Sequence, residues 1–332
     1  MNISDFDYDL PEELIAQVPV EPRDAARLLI DRGSEAPDTS TVASLVDELR
    51  PGDLIVVNET RVQPARLHLH KRSGGAVEIL LLEQHSDDVW EVLARPGRRL
   101  RPGTELMLDN SAVAVIEGRA DHDRGSFLVR LLVELDVLTA RGEMPLPPYI
   151  TAPLQDHTRY QTIFAASGRS AAAPTAGLHF TQHLLDGITQ AGVDIARVDL
   201  VVGLDTFRPV SVEDLDDHVM HSERYSVPAE TLERCREARR VIAVGTTSVR
   251  ALESAAARGS LSGRTDLFIR AGHDWQIVDM LLTNFHLPRS TLLVMIDAFI
   301  GPRWRDLYAH AIAQRFRMLS FGDAMLLNRH AV

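Results

Sequence analysis

Between Pro64 and about Ile150 the chain is cut into short runs in which apolar and polar residues alternate. These are Ala76 to Leu82, Val89 to Ala94, Glu105 to Leu108, Ala112 to Ile116 and Ser126 to Leu132, separated by Gly, Pro and Asp turns. A period of two puts every second side chain on one face, and six or so such strands at this spacing predict a small antiparallel barrel. On either side the rhythm changes. Asp53 to Asn58, Ile195 to Val202, Val241 to Val244, Asp266 to Ile269 and Leu292 to Ile296 read as buried strands. Thr41 to Leu49, Phe180 to Gln190, Pro228 to Arg240, Val249 to Arg258 and Trp304 to Arg315 read as helices. The expected class is therefore α/β, a layered α/β main domain of residues 1–62 and 151–332 with an inserted small antiparallel β-barrel domain, residues 63–150. Met144-Pro-Leu-Pro-Pro-Tyr149 can continue neither a helix nor a central strand and reads as the strap back to the main domain.

Charge narrows the function. With 47 acidic against 35 basic residues, a net charge of −12, the protein cannot coat nucleic acid by bulk electrostatics. Two local clusters, His68-Leu-His70-Lys71-Arg72 and Arg95-Pro-Gly-Arg98-Arg99-Leu-Arg101, either dock RNA or are solvated loop charges. No apolar run reaches the roughly 18 residues of a membrane span. The acidic start MNISDFDYDLPEEL is unlike a signal peptide, so no membrane association and a cytoplasmic location are expected. Cys235, the single cysteine, excludes an internal disulfide framework and a multi-cysteine zinc site.

Polar groups inside apolar runs need partners when buried, so they mark candidate sites. Thr283, Asn284, His286, Arg289, Ser290 and Thr291 interrupt the run from Leu281 to Leu292, and Ala171 to Thr181 leads small residues into Gly177-Leu-His179-Phe180. One His between bulky apolar neighbours is ordinarily a core residue. Two, His179 and His286, each with hydroxyl and amide neighbours, point to one pocket. Val241-Ile-Ala-Val-Gly245-Thr246-Thr247-Ser248-Val249-Arg250 is a strand, a glycine turn and hydroxyls at a helix mouth. It suits a carboxylate or phosphate, or plain N-capping. Neither a P-loop nor a dinucleotide glycine pattern is present, and the 13 histidines show no metal-ligand spacing, so no metal is expected. Asp217-His218-Val-Met-His221-Ser222-Glu223 reads as a polar loop over the pocket. Arg159 beside Tyr160 suits stacking on a base, clamping an anion or a structural corner, and Asp266 suits a general base or a capped strand start.

Taken in order, Asp5-Phe-Asp-Tyr-Asp-Leu-Pro11, Arg50-Pro-Gly-Asp-Leu54, Asn58-Glu-Thr-Arg61, Met144-Pro-Leu-Pro-Pro-Tyr149, Arg159-Tyr-Gln-Thr162, Ala173-Pro-Thr-Ala-Gly-Leu-His-Phe180, Val244-Gly-Thr-Thr-Ser-Val-Arg250, Leu281-Leu-Thr-Asn-Phe-His-Leu-Pro288 and Ser320-Phe-Gly-Asp-Ala-Met325 resemble the S-adenosylmethionine:tRNA ribosyltransferase-isomerase family of queuosine biosynthesis, over essentially the whole chain. The resemblance implies an α/β domain with an inserted barrel. It also implies S-adenosylmethionine as a ribosyl donor and tRNA carrying 7-aminomethyl-7-deazaguanine as acceptor. The product would be epoxyqueuosine in tRNA, with adenine and methionine released and no separate cofactor.

The sulfonium acidifies the hydrogens on the ribose 5′ carbon, so a placed base could start ring opening. His179 or Asp266 is the expected base, with His286 assisting adenine departure. Thr246, Thr247, Ser248 and Arg250 would hold the methionine carboxylate, and Arg159 and Tyr160 would border the incoming base. Thr175, Ala176, Gly177, Gly245, Thr283 and Asn284 complete the expected substrate-binding set. The chain departs from the family pattern His-Val-Gly-x-Gly-Thr-Phe at Val201 and Asp205. A paralogue acting on a free small molecule and an RNA-binding module without catalysis are the competing readings. A monomer is expected.

Overall fold

A computed structural model of the protein describes residues 1–120, 125–203 and 210–331. The chain divides into two compact units, one of Met1–Arg61, Pro147–Gly168 and Ala173–Val332, the other of Val62–Leu146 and Arg169–Ala172.

The larger unit is built on a nine-stranded mixed sheet. Its order is Ser262–Thr265, Glu223–Ser226, Asp194–Leu200, Asp53–Asn58, Arg240–Val244, Met280–Asn284, Ala324–Asn328, Arg27–Ile30 and Asp38–Thr41. The four strands Asp194–Leu200, Asp53–Asn58, Arg240–Val244 and Met280–Asn284 run parallel, so their carboxyl ends share one edge. Every residue of Asp53–Asn58 is buried, as a parallel strand covered on both faces must be. Ile55, Val57, Ile242, Val244, Leu282 and Leu326 face one way, against Leu184 and Ile188 of helix Gln182–Gln190 and the edge-on pair Phe164 and Phe180. Helix Thr246–Arg258 also packs on the sheet, against Asp194–Leu200, Asp53–Asn58 and Arg240–Val244. It is buried continuously from Thr246 to Ala255.

Glycine sets both ends of that helix. Gly245, at φ 84°, makes the turn out of Arg240–Val244, and Gly259, at φ 61°, ends the last turn. Farther along, Glu253 is wholly buried and accepts the main-chain N–H of Gln276, Ile277 and Val278, each at 3.0 Å. The loop that feeds Met280–Asn284 is thereby tied to the helix.

The smaller unit holds a closed barrel of six antiparallel strands in the order Phe127–Leu131, Val89–Arg95, Ala76–Gln84, Arg66–Lys71, Glu105–Leu108 and Ser111–Arg119. Its one unpredicted strand, Arg66–Lys71, contains the first basic cluster. Leu67 and Leu69 point into the barrel while His68 is exposed and His70 half-buried, so the two histidines lie on the outer face of the strand and Arg72 follows its end.

Two expectations for the main sheet fail. Leu292 to Ile296 lies inside helix Thr291–Ile300, whose start is capped by Ser290 Oγ accepting from Leu293 N at 3.2 Å. A short, wholly apolar run does not separate a buried strand from a buried helix, and the serine was the deciding signal. Asp266 to Ile269 forms no strand, the edge strand being Ser262–Thr265. Among the described residues no helix is long and apolar enough to cross a membrane, and no three His, Cys, Asp or Glu side chains gather as a metal site.

Candidate active site

Ligands in open α/β sheets bind beyond the carboxyl ends of the parallel strands, where the loops diverge. Here the loops leaving Asp194–Leu200, Arg240–Val244 and Met280–Asn284 supply Val202, Gly245 to Thr247 and Phe285 to Leu287 to one cleft. The turn Thr175–His179 adds Thr175 and Ala176, and the segment before Ala324–Asn328 adds Leu319 and Ser320. The cleft holds about 590 Å³ of non-protein space, part of it open to solvent. A Cβ on Gly245 would sit 3.5 Å from the Cβ of Ala176, so small residues let these two walls close together.

The end of strand Met280–Asn284 carries the polar chemistry. His286 Nε2 lies 3.1 Å from Thr283 Oγ1, and its Nδ1 has no partner among the described residues. Its main chain is held at both ends: the N–H donates to the Tyr308 hydroxyl at 3.0 Å, and the carbonyl accepts from the Tyr8 hydroxyl at 2.5 Å. The two tyrosine rings meet edge-on at 5.0 Å, which fixes the clamp. Burial pushes the His286 imidazole down to about 3, so it is neutral at physiological pH.

Asn284 faces the same cleft with its amide nitrogen committed elsewhere, donating to the Leu319 carbonyl at 3.2 Å and to His179 Nε2 at 3.1 Å. Those two acceptors fix the amide orientation and leave Asn284 Oδ1 buried without a partner. Thr247 Oγ1 is in the same state. Two unsatisfied polar atoms on one cleft wall mark where a ligand completes the hydrogen bonding.

His179 does not line this cleft. Its Nε2 accepts from Asn284, and the nearby Arg23 main chain favours its charged form. Burial, with Arg317 nearby, pushes its imidazole down to about 4. It borders a separate small hollow with Arg23 and Arg159. Arg159 pairs there with Glu21 at 2.7 Å and donates to the Val20 carbonyl at 2.7 Å. Tyr160 is wholly buried, edge-on to Phe321 at 5.9 Å, so it offers no face to a nucleobase. Asp266 is exposed, paired with Arg258, and on the wall of no cavity described here.

Of the remaining expected residues, Gly177 packs against Thr162 and Phe164, and Ser248 donates to the Val244 carbonyl at 2.7 Å inside the helix. Neither reaches the cleft. Arg250 lines a second cavity, where it pairs with buried Glu223. Burial would raise the Glu223 carboxyl, but Arg250, His221 and the Gly203 N–H outweigh it and hold it at about 2. His221 and Glu223 place part of the predicted polar loop on that cavity. Sequence reasoning missed Val202, Leu319 and the Tyr149–Ser320 pair, whose hydroxyls meet at 2.7 Å on the cleft wall. The Pro-Pro-Tyr strap was the one available signal for Tyr149. The first departure, Val201, adjoins Val202; the second, Asp205, lies outside the described residues.

A family profile described as queuosine biosynthesis protein matches residues 3–327. The S-adenosylmethionine:tRNA ribosyltransferase-isomerase of Thermotoga maritima is 45% identical over 98% of this chain and 100% of its own length. A crystal structure of an S-adenosylmethionine tRNA ribosyltransferase, also from Thermotoga maritima, superposes with a TM-score of 0.56 at 38% identity, covering 97% of this chain and 99% of that one. With similarity running the full length and a cleft built from the segments that carry it, the chain belongs to the queuosine biosynthesis protein family.

Proposed function

We propose that this protein transfers and isomerises the ribosyl moiety of S-adenosylmethionine onto 7-aminomethyl-7-deazaguanine at the tRNA wobble position, giving epoxyqueuosine-tRNA, adenine and methionine. The observation that carries the reading is the meeting of Thr175–Ala176, Gly245–Thr247 and Thr283–His286 on one cleft, with Asn284 Oδ1 and Thr247 Oγ1 left unpaired. Full-length likeness to a relative bearing that activity in its name supports it.

The donor's sulfonium makes the 5′ hydrogens acidic; neither expected base, His179 nor Asp266, is on the cleft wall, and His286, expected to assist adenine departure, takes the base role in this reading. In the neutral tautomer that donates Nε2–H to Thr283, it is able to take a proton at Nδ1. His179 is a positioning residue acting through Asn284. Asp266 and Tyr160 have no part. S-adenosylmethionine is a substrate rather than a resident cofactor in this reading, and the protein works as a cytoplasmic monomer.

The test is adenine release from S-adenosylmethionine, followed chromatographically with and without tRNA bearing the aminomethyl base. Release that requires the modified tRNA is expected. Turnover without tRNA would instead favour a small-molecule enzyme, the reading that Val201 beside the cleft residue Val202 motivates. RNA binding without any turnover would overturn catalysis.

A further inference from the structure

The second cavity shares Thr246, Thr247 and Leu292 with the cleft, so the two lie on either side of one helix start. Its other walls combine opposite charges with apolar surface: Arg250 and Glu223, which are 5% and 4% exposed, beside Met220, Leu267, Phe268 and Met295. A buried ion pair adds little stability for its desolvation cost, so its retention in a cavity calls for a reason. Arg250 is also incompletely satisfied. Arg250 donates to Glu223 and, at 3.4 Å, to the Thr265 carbonyl, but its Nε is buried without a partner, as is Thr247 Oγ1. The first-turn N–H groups of Thr246 and Thr247 add the positive end of a thirteen-residue helix. An anion receptor and a fixed carboxylate thus stand side by side in one cavity, next to apolar surface.

We infer that this second cavity takes the α-amino-acid end of the donor, its carboxylate on Arg250 Nε and the helix start, its ammonium on the Glu223 side, while the cleft takes the nucleoside. The assignment rests on S-adenosylmethionine as donor. A zwitterion matches the pocket in sign at both ends and leaves net charge unchanged. The methylene chain and the sulfonium methyl lie along Met220, Leu267 and Met295. The sulfur then falls at the shared Thr246–Thr247 wall, between the two cavities.

The test is equilibrium binding to the wild-type protein of S-adenosylhomocysteine, its analogues lacking the α-amino or the α-carboxylate group, and 5′-methylthioadenosine. Each lost charge should weaken binding about ten- to a hundred-fold, as a charge-assisted hydrogen bond requires. Glu223→Gln should weaken S-adenosylhomocysteine by a similar factor and leave 5′-methylthioadenosine within about two-fold. The ligand series needs no variant, so a Glu223→Gln protein that fails to fold leaves the test intact. Equal affinity for all four ligands, or equal loss of both nucleosides in the folded variant, overturns the placement. A wild-type protein that binds none of them overturns the donor reading itself.

Discussion

His286 and His179 are both neutral, but for different purposes, and the difference is measurable. His286→Ala should lower kcat by about 10²- to 10⁴-fold with the donor dissociation constant little changed, the range for loss of a proton-transfer group. His179→Gln keeps an acceptor for Asn284 and should retain most activity, whereas His179→Leu removes it and should raise the donor KM along with lowering kcat. Neither change at His179 should move the pH profile, because its ring lies behind Asn284 and does not line the cleft. The low proton affinity of His286 also predicts that turnover does not fall between pH 8 and about pH 5.5, as it would for an unperturbed imidazole. For stability the sign runs the same way in both residues. Their folded values, about 3 and about 4, lie below the ordinary 6.5, so the unfolded chain binds protons first. Their contribution is complete above 6.5 and is lost as pH falls toward 4 and then 3. Thermal melts of His286→Gln between those limits should show a shallower decline than wild type.

At the scale of elements, two glycines make separable predictions. Gly245→Ala keeps ordinary contact distance to Ala176 but forces a side chain into the left-handed region, so it should cost about 1 kcal/mol and misalign the helix start. Gly322→Ala meets backbone, since its Cβ would overlap the Arg317 carbonyl and Met318. It should distort the turn carrying Leu319 and Ser320, with a larger loss of melting temperature and of donor binding. Legibility followed the strength of local signals. The barrel strands announced themselves by alternation, and Asp53–Asn58 and Arg240–Val244 by unbroken apolar runs between turns. Met280–Asn284 was noticed for its polar residues and not as a strand, although that strand is what aims them. Ala324–Asn328, Arg27–Ile30 and Asp38–Thr41 escaped, and the pairing of Arg27–Ile30 with Ala324–Asn328 joins the two ends of the sequence, which no local signal records. In the site, His286, Asn284 and the Thr246–Thr247 start were readable from residue type and spacing. The partners of Arg159, Asp266 and His179 were not, because Glu21, Arg258 and Asn284 are joined to them only by folding.

For the molecule as a whole, a net charge of −12 has to be reconciled with a polyanionic substrate. Favourable charge must therefore be local. The exposed Arg98, Arg99 and Arg101 of the barrel turn are the sharpest candidate, and changing all three to Ala should raise the KM for tRNA while leaving donor affinity intact. The same change should flatten the dependence of log KM on log salt by about 2, the effect of losing three phosphate contacts to single-stranded or looped RNA. An unchanged salt slope would remove the barrel turn from RNA docking. Finally, the carboxylate of Glu253 grips three consecutive amides ahead of the strand that ends in Asn284, from a helix whose first residues separate the two hollows. Sliding that helix along its axis would tear those amides loose together, so it serves as a fixed anvil. Whatever yielding admits a donor and later frees two dissimilar products falls to the rim of the second hollow from His218 to Ser222, where Val219 is 88% exposed.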